Sequence, residues 1–207
     1  KSFLGFLWTV VDPLLQLLVY TLVFTTIMPM KGIDKFYLHL FVALIPWGFF
    51  ASCLTGGCAS IINQQDMVKK IYLPREVLPI AYVTGQFVNM LFSFVVVFVV
   101  LFISGVGVRV EALLCLPLVM IVQYIFCIGI TMFTSAVTVY LRDVQQILSV
   151  LSLALMYASP VIYSVDMVPA SIRGIYMLNP MSVLIVSYRD ILYYRQLPDM
   201  GELGIAC

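Results

Sequence analysis

The densest group of charged side chains lies in residues 63–79, between two long uncharged stretches. Residues 36–65 and 77–108 contain no Asp, Glu, Lys or Arg. The charged members of the segment are Asp66, Lys69, Lys70, Arg75 and Glu76. Each flanking stretch is longer than the roughly 20 apolar residues that cross a bilayer. Three cations within seven residues favour the cytoplasmic side, so the segment predicts a cytoplasmic connection between two membrane helices.

The same segment has the pattern of a short docking helix. It has a polar start, an apolar face and a proline stop at Pro74, which together predict an amphipathic surface helix. The apolar face consists of Met67, Val68, Ile71, Tyr72 and Leu73. A solvated connector is the simpler interpretation, and both remain open at this point.

Catalytic and metal-binding patterns are missing from the sequence. His39 is the only histidine, it has no carboxylate or cysteine at ligand spacing, and it is expected at a helix end. No Gly-x-x-x-x-Gly-Lys-Ser/Thr loop occurs, so the chain does not bind ATP in that way. The predicted spans carry almost no charge, which counts against proton or sodium coupling. We therefore expect no cofactor in this chain, and the energy for any work it does must come from elsewhere.

Composition indicates an integral membrane protein. The chain is 63% hydrophobic and 10% charged, with a mean hydropathy of +1.09, whereas soluble domains are about 45–50% apolar and about 25% charged. A net charge of +1, without a basic patch among aromatics, predicts no nucleic-acid partner. The cysteines are expected to be packing residues, not a disulfide framework or a metal site. They are Cys53, Cys58, Cys115, Cys127 and Cys207.

Uncharged runs and turn signals predict an all-α chain with five membrane helices. These helices are placed near residues 13–28, 36–62, 80–104, 113–139 and 144–165. Residues 63–79 and 140–143 would then lie in the cytoplasm. The whole chain, residues 1–207, is expected to form one transmembrane domain.

Three local features refine these predicted helices. Asp12 and Pro13 read as an N-cap and first helical residue, and Pro46 allows the second helix to bend. Residues 92–103, almost all Val and Phe, should face lipid. The fifth helix should stop near Pro160, since a proline ring clashes with the preceding turn.

The second predicted helix carries both a small-residue repeat and an aromatic group. Ser52, Gly56 and Ser60 recur every four residues, beside Cys53 and Gly57. This spacing favours close helix packing, and the alternative is a homodimer seam. Trp47 lies near the middle of the run, away from both interfaces, so it is expected to pack in protein or to line a path.

Residues 166–199 mix charged and apolar side chains. Asn179 and Pro180 predict a helix start, and the amphipathic helix at residues 181–194 should lie in, or dip into, the outer leaflet. An intramembrane site at Arg189 and Asp190 is the functional alternative.

Several motifs in order along the chain resemble those of ABC-2-type polysaccharide-export permeases. They are the segment at residues 63–79, Leu4-Gly5-Phe6-Leu7-Trp8 with Pro13-Leu14, Tyr140-Leu141-Arg142-Asp143, Ser159-Pro160-Val161-Ile162-Tyr163, Asn179-Pro180 and Tyr188-Arg189-Asp190. The resemblance implies a type V exporter bundle with a cytoplasmic coupling helix and outer-leaflet amphipathic helices. It also implies a multi-pass protein of the bacterial plasma membrane, and it fixes the orientation that five cytoplasmic and six outer cations leave undecided.

The resemblance further implies partners and functional residues. The expected partners are an ABC ATPase subunit that binds ATP and Mg²⁺, a second copy of this chain, and a lipid-linked glycan such as O-antigen, teichoic acid or capsule. Coupling to the ATPase is assigned to Asp66, Lys69, Lys70, Ile71, Tyr72, Arg75 and Glu76. The substrate path is assigned to Trp47, Phe49 and Phe50, with plain helix packing as the alternative. An N-terminal interface helix and a last membrane helix, both present in the family, are expected to be missing here.

Two other functions remain compatible with the residues themselves. A membrane-embedded transferase for polyprenyl-linked sugars would need charged groups or histidine near one interface, which only the segment after the fifth helix offers. A non-transporting membrane scaffold is the third hypothesis.

Overall fold

The computed structural model of the chain describes residues 8–24, 35–70, 72, 74–105, 107, 109–167, 169–199, 201 and 204. Within this part the chain forms helices joined by turns, without a strand. The helices are α1 (Trp8–Leu22), α2 (Phe36–Thr55), α3 (Ser60–Asn63), α4 (Gln65–Lys70), α5 (Val77–Ile103), α6 (Val110–Leu113), α7 (Leu116–Tyr140), α8 (Val144–Tyr157), α9 (Ala170–Met177) and α10 (Pro180–Arg189). A 3₁₀ turn, Gly57–Ala59, joins α2 to α3, and a π turn, Asp190–Tyr194, follows α10.

Three helical stretches in the described residues are long and apolar enough to cross a membrane. They are Phe36–Lys70, Val77–Ile103 and Val110–Tyr140. Two shorter apolar helices, Val11–Leu22 and Val144–Tyr157, correspond to the first and fifth predicted spans. This pattern confirms the all-α membrane fold class.

Helix α2 is the centre of the bundle. It is apolar on all sides, as expected for a helix surrounded by other helices. It contacts α1, α5, α7, α8 and α10. The side chains at its core, among them Phe41, Val42 and Cys53, have no exposed surface. The other helices therefore take their positions from contacts with α2.

The predicted start of the first helix was wrong. Helix α1 already includes Trp8, and Pro13 lies inside it, so Asp12 does not cap its N-terminus. A proline in this position removes one backbone hydrogen bond, a defect that membrane helices tolerate when neighbouring helices pack against it. Here α2 and α5 both contact α1. The predicted end of this helix, residues 25–28, lies outside the described residues.

The second span is interrupted after Thr55 and not at Pro46, where the sequence allowed a bend. Helix α2 passes through Pro46 and ends at Thr55, where Gly56 and the 3₁₀ turn interrupt the helical pattern. The carbonyl oxygen of Pro46 accepts a hydrogen bond of 2.8 Å from Gln123 Nε2. A partner on α7 thus reaches the backbone of α2 at this proline.

The prediction that residues 92–103 face lipid was wrong for four of these twelve residues. Val95, Val99 and Phe102 are exposed, but Phe94 and Val97 are buried in the bundle core. The stretch is apolar on every side, so its sequence does not distinguish the lipid-facing side from the side that packs on α2 and α7.

The last part of the chain folds back into the bundle. Helix α8 ends at Tyr157, just before Ser159 and Pro160, as predicted. Asn179 caps α10 through a 3.1 Å hydrogen bond from the Met181 backbone N–H to its side-chain oxygen. Most of α10 is buried against α2 and α7. This helix therefore packs inside the bundle, and its predicted place in the outer leaflet stays a prediction.

Candidate coupling surface and transport path

The predicted coupling segment forms an exposed corner at one end of the bundle. Helix α4 carries Asp66 in its first turn and Lys69 and Lys70 in its last turn, charges that complement the helix dipole. Arg75 and Glu76 form the turn that begins α5, through a 3.3 Å hydrogen bond from Leu78 N–H to the Arg75 carbonyl oxygen. We call the exposed set the α4 surface. It comprises Asp66, Lys69, Lys70, Tyr72, Arg75 and Glu76.

Tyr72 is the most unusual member of the α4 surface. Its side chain is fully exposed, so its ring packs against nothing in the described part of the chain. Aromatic residues are enriched in protein interfaces, where polar side chains form the rim, so this exposed ring marks a candidate binding surface. Ile71, another predicted coupling residue, lies outside the described residues. The structure thus brings six of the seven predicted coupling residues to one corner.

A cavity of about 500 Å³ lies between α4 and the adjoining ends of α5 and α7. Its interior is apolar and includes Ile61, Val68 and Met132, while Lys69 and Arg142 contribute charges to its lining. The α4 surface is therefore attached to the bundle through α3 and the α5 turn, with open space behind α4.

Two close helix contacts lie where α2 ends, before α3 and α4. A Cβ atom built on Gly57 would lie 2.6 Å from Thr131 Cγ2 on α7, and one on Gly56 would lie 2.0 Å from the Tyr82 hydroxyl oxygen on α5. A larger residue at Gly57 would press on the buried Thr131 side chain, and one at Gly56 would displace the Tyr82 hydroxyl. The packing interpretation of the small-residue repeat is thus confirmed at these two positions.

The predicted path aromatics lie in the core of the chain. Trp47, Phe49 and Phe50 are all buried. The ring centroid of Phe50 is 5.3 Å from that of Trp47 and 5.9 Å from that of Phe126, and Phe49 lies 5.8 Å from Phe87. These contacts are those of helix packing. A lining role for the three residues stays a prediction.

Phe49 also borders a polar cavity that was not predicted from the sequence. This cavity, about 320 Å³, lies between α1, α2 and α5. We call it the polar groove, and its polar lining residues are Asp12, Gln16, Ser52, Gln86, Asn89 and Ser93. The spacing i, i+3 and i+7 of Gln86, Asn89 and Ser93 was the signal in the sequence, since it places all three on one helix face.

Arg189 is a buried cation at the other end of the bundle. Its side chain is 2% exposed and donates hydrogen bonds to four backbone carbonyl oxygens. The acceptors are His39 at 3.2 Å, Val161 at 2.7 Å, Tyr163 at 3.0 Å and Pro160. We call this set the Arg189 cluster. It fixes the turn after α8 against α2, and a functional intramembrane site at Arg189 and Asp190 stays a prediction.

A tyrosine relay supports the same turn. The Tyr176 hydroxyl donates to the Tyr163 hydroxyl at 2.8 Å, and Tyr163 donates to the Tyr157 carbonyl oxygen at 2.6 Å. Burial, with the hydrogen bond to Tyr163 as a second cause, raises the pKa of Tyr176 well above its ordinary value. Tyr176 therefore stays neutral, and its hydrogen bond to Tyr163 connects α9 to the end of α8.

Among the described residues, no group of three or more His, Cys, Asp or Glu side chains could hold a metal ion. Cys53, Cys58 and Cys127 are buried and carry free thiols, as expected for packing residues. Cys207 lies outside the described residues.

The fold and these sites define a class of protein. It is a multi-pass helical membrane protein with an exposed charged corner at one end and a polar groove among its helices. Comparison with known sequences agrees, because residues 1–193 match the profile of the ABC-2 type transporter membrane family. The chain belongs to this family and is the permease subunit of an ABC exporter, so the resemblance found in its motifs is confirmed. Membership implies a transporter with an ATPase partner.

Three curated relatives share most of the chain. An O-antigen export system permease protein RfbA from Myxococcus xanthus is 36% identical over 204 residues, which covers 98% of this chain and 78% of that protein. Two proteins of the same name from Klebsiella pneumoniae are 32% and 30% identical over 191 residues, covering 92% of this chain and 73% of each relative.

Proposed function

We propose that this permease exports a lipid-linked polysaccharide of the O-antigen type across the bacterial plasma membrane. The names of the relatives support the substrate class, since similarity extends over nearly the whole chain. The observation that carries the mechanism is the α4 surface, where a fully exposed Tyr72 stands among charged side chains at the end of an apolar bundle. Such a surface can receive force from a soluble partner.

The partner in this proposal is a separate ATPase subunit that binds ATP and Mg²⁺. Tyr72, with Ile71, would enter a cleft of the ATPase as the apolar anchor. The polar rim would consist of Asp66, Lys69, Lys70, Arg75 and Glu76. ATP-driven motion of the partner would then act on α4, and the Gly56–Gly57 contacts would pass it to α5 and α7.

A pair of these chains would form the complete membrane unit. Two-fold pairing is the commonest arrangement of identical subunits.

The function is tested by deleting the gene for this chain and restoring it with the full-length protein. We expect loss of surface polysaccharide on deletion and recovery on complementation. An ATPase should co-purify with the chain, and lipid-linked glycan should stimulate ATP hydrolysis. Transfer of sugar by the purified chain in the absence of any ATPase would instead support the transferase hypothesis.

The orientation in this proposal has its own test. A Lys70→Cys variant should resist a membrane-impermeant thiol reagent added to intact cells, because α4 is placed in the cytoplasm. Labelling in intact cells would overturn the proposed orientation.

A further inference from the structure

The polar groove lies at a depth where membrane helices rarely expose polar groups. Gln86 and Ser93 are 9 and 16 residues after Val77, which places them about 14 and 24 Å along the roughly 40 Å length of α5. Ser52 lies about 24 Å along the span that begins at Phe36. With a hydrocarbon core of about 30 Å, all three positions are inside the bilayer.

Three of the groove side chains are exposed on the isolated chain. They are Asp12, Gln16 and Asn89, and Gln86, Ser52 and Ser93 beside them are half-buried. Amide and carboxylate groups at this depth are costly in lipid, so such residues usually face protein or a water-filled cavity and mark pathways. Ser93 already donates to the Asn89 carbonyl oxygen at 3.0 Å and Gln86 also contacts the Tyr82 hydroxyl, so the exposed Asp12, Gln16 and Asn89 most need an occupant that forms hydrogen bonds.

The lining distinguishes between possible occupants. Side-chain amides both donate and accept hydrogen bonds, as sugar hydroxyl groups do, and Asp12 accepts when ionised. Among the described residues that line the groove none is Lys or Arg, whereas phosphate groups are held mainly by cations. The cavities at the two ends of the bundle are different, since Lys69 and Arg75 line one and Arg173 and Arg189 line the other.

Apolar surfaces complete the groove. Trp8 and Phe49 border the same cavity as the amides. A site that combines aromatic walls with a few convergent polar groups suits a ligand with both apolar and polar faces. The C–H and hydroxyl faces of a pyranose ring have that character, and the volume of about 320 Å³ is at the lower end for ligand sites.

We propose that the polar groove binds uncharged sugar residues of the glycan during export, separately from the phosphate of its lipid carrier. The amides of Gln16, Gln86 and Asn89 bind hydroxyl groups, and Trp8 and Phe49 contact the C–H faces. This inference rests on the proposed function, because it assigns a binding site for the substrate named there.

The first experiment replaces amides by apolar side chains of similar size in the full-length chain. Gln86→Leu combined with Asn89→Leu should lower surface polysaccharide per permease about tenfold or more, the expected effect of two lost hydrogen bonds. The amount of permease and the co-purified ATPase should not change. Gln146→Leu, the same substitution at an exposed position of α8 outside the groove, should export normally.

The outcomes separate this inference from the proposed function. A deletion strain that still exports would overturn the proposed function. A deletion strain without surface glycan, rescued fully by the double Leu variant, would overturn the groove alone.

A second experiment does not depend on the double variant folding. Asn89→Cys is placed in a background without the native cysteines and treated with a water-soluble maleimide. We expect labelling when glycan synthesis is blocked and protection when glycan accumulates. A disulfide between two copies would show that a second chain covers the groove, and absence of labelling in both conditions would show that it is closed to water. Either result would overturn the proposal.

Discussion

The α4 surface and the Arg189 cluster use the same kinds of charged residue in opposite ways. Lys69, Lys70 and Arg75 are exposed, while Arg189 is almost completely buried and donates to four carbonyl groups. Exposed charges contribute little to folding because water already solvates them. A buried guanidinium must have its donors satisfied, and each satisfied bond fixes a backbone group. Charge at one end is thus available to a partner, and at the other end it supports the fold.

Loss of the Arg189 side chain should have the largest effect on stability. Arg189→Met leaves the carbonyl groups of His39, Pro160, Val161 and Tyr163 without these donors, at a cost of about 3 kcal/mol or more. We expect a lower thermal midpoint for the purified complex and less permease in membranes. Arg142→Met, the same change at an exposed position, should leave both unchanged. If Arg189→Met and Arg142→Met had the same effect on the thermal midpoint and on the amount of permease, the buried arginine would contribute no more to the fold than the exposed one.

Steric pressure at Gly57 should have the next largest effect. Gly57→Ala places a methyl group against the buried Thr131 side chain, and overpacking of this kind costs about 1–3 kcal/mol. Thr131→Ser removes the Cγ2 atom that clashes but keeps the hydroxyl that donates to the Cys53 carbonyl oxygen at 3.3 Å.

The double variant should therefore be less destabilised than the sum of the single changes. Thermal unfolding of all four proteins gives this coupling. Gly129→Ala is the control, since no heavy atom lies within 4 Å of its added Cβ. Additive effects would contradict a direct contact between Gly57 and Thr131.

Removal of the Tyr72 ring should affect binding and not folding. Truncation of an aromatic anchor costs about 2 kcal/mol in a complex, or about 30-fold in affinity. Tyr72→Ala should thus reduce co-purified ATPase and export while the thermal midpoint of the permease alone stays the same. Tyr140→Ala, a second exposed tyrosine outside the α4 surface, is the matched control. Loss of stability in Tyr72→Ala would place this ring in the fold and not at an interface.

The two regions also differ in how far sequence predicts them. The α4 surface could be read from composition because local charge, an apolar face and a proline stop all lie within residues 63–79. The cap at Asn179 was equally local. The acceptors of Arg189 lie 26 to 29 and 150 residues away in the chain, so nothing near Arg189 indicates them. The polar groove is formed by residues of three helices. The spacing of Gln86, Asn89 and Ser93 in the sequence indicates a polar face on α5, but it does not indicate that Gln16 and Ser52 lie beside that face.

The smallest effect is expected at the rim of the α4 surface. Lys69→Ala removes one exposed cation, and exposed ion pairs contribute below about 1 kcal/mol. Such charges act mainly on association rates, and salt screens them over about 10 Å at 0.1 M. Co-purification of the ATPase should therefore fall slightly at low salt and match wild type at high salt, whereas the Tyr72→Ala defect should persist at both. A Lys69→Ala defect as large as that of Tyr72→Ala, and independent of salt, would mean that Lys69 is buried by the partner and belongs to the anchor.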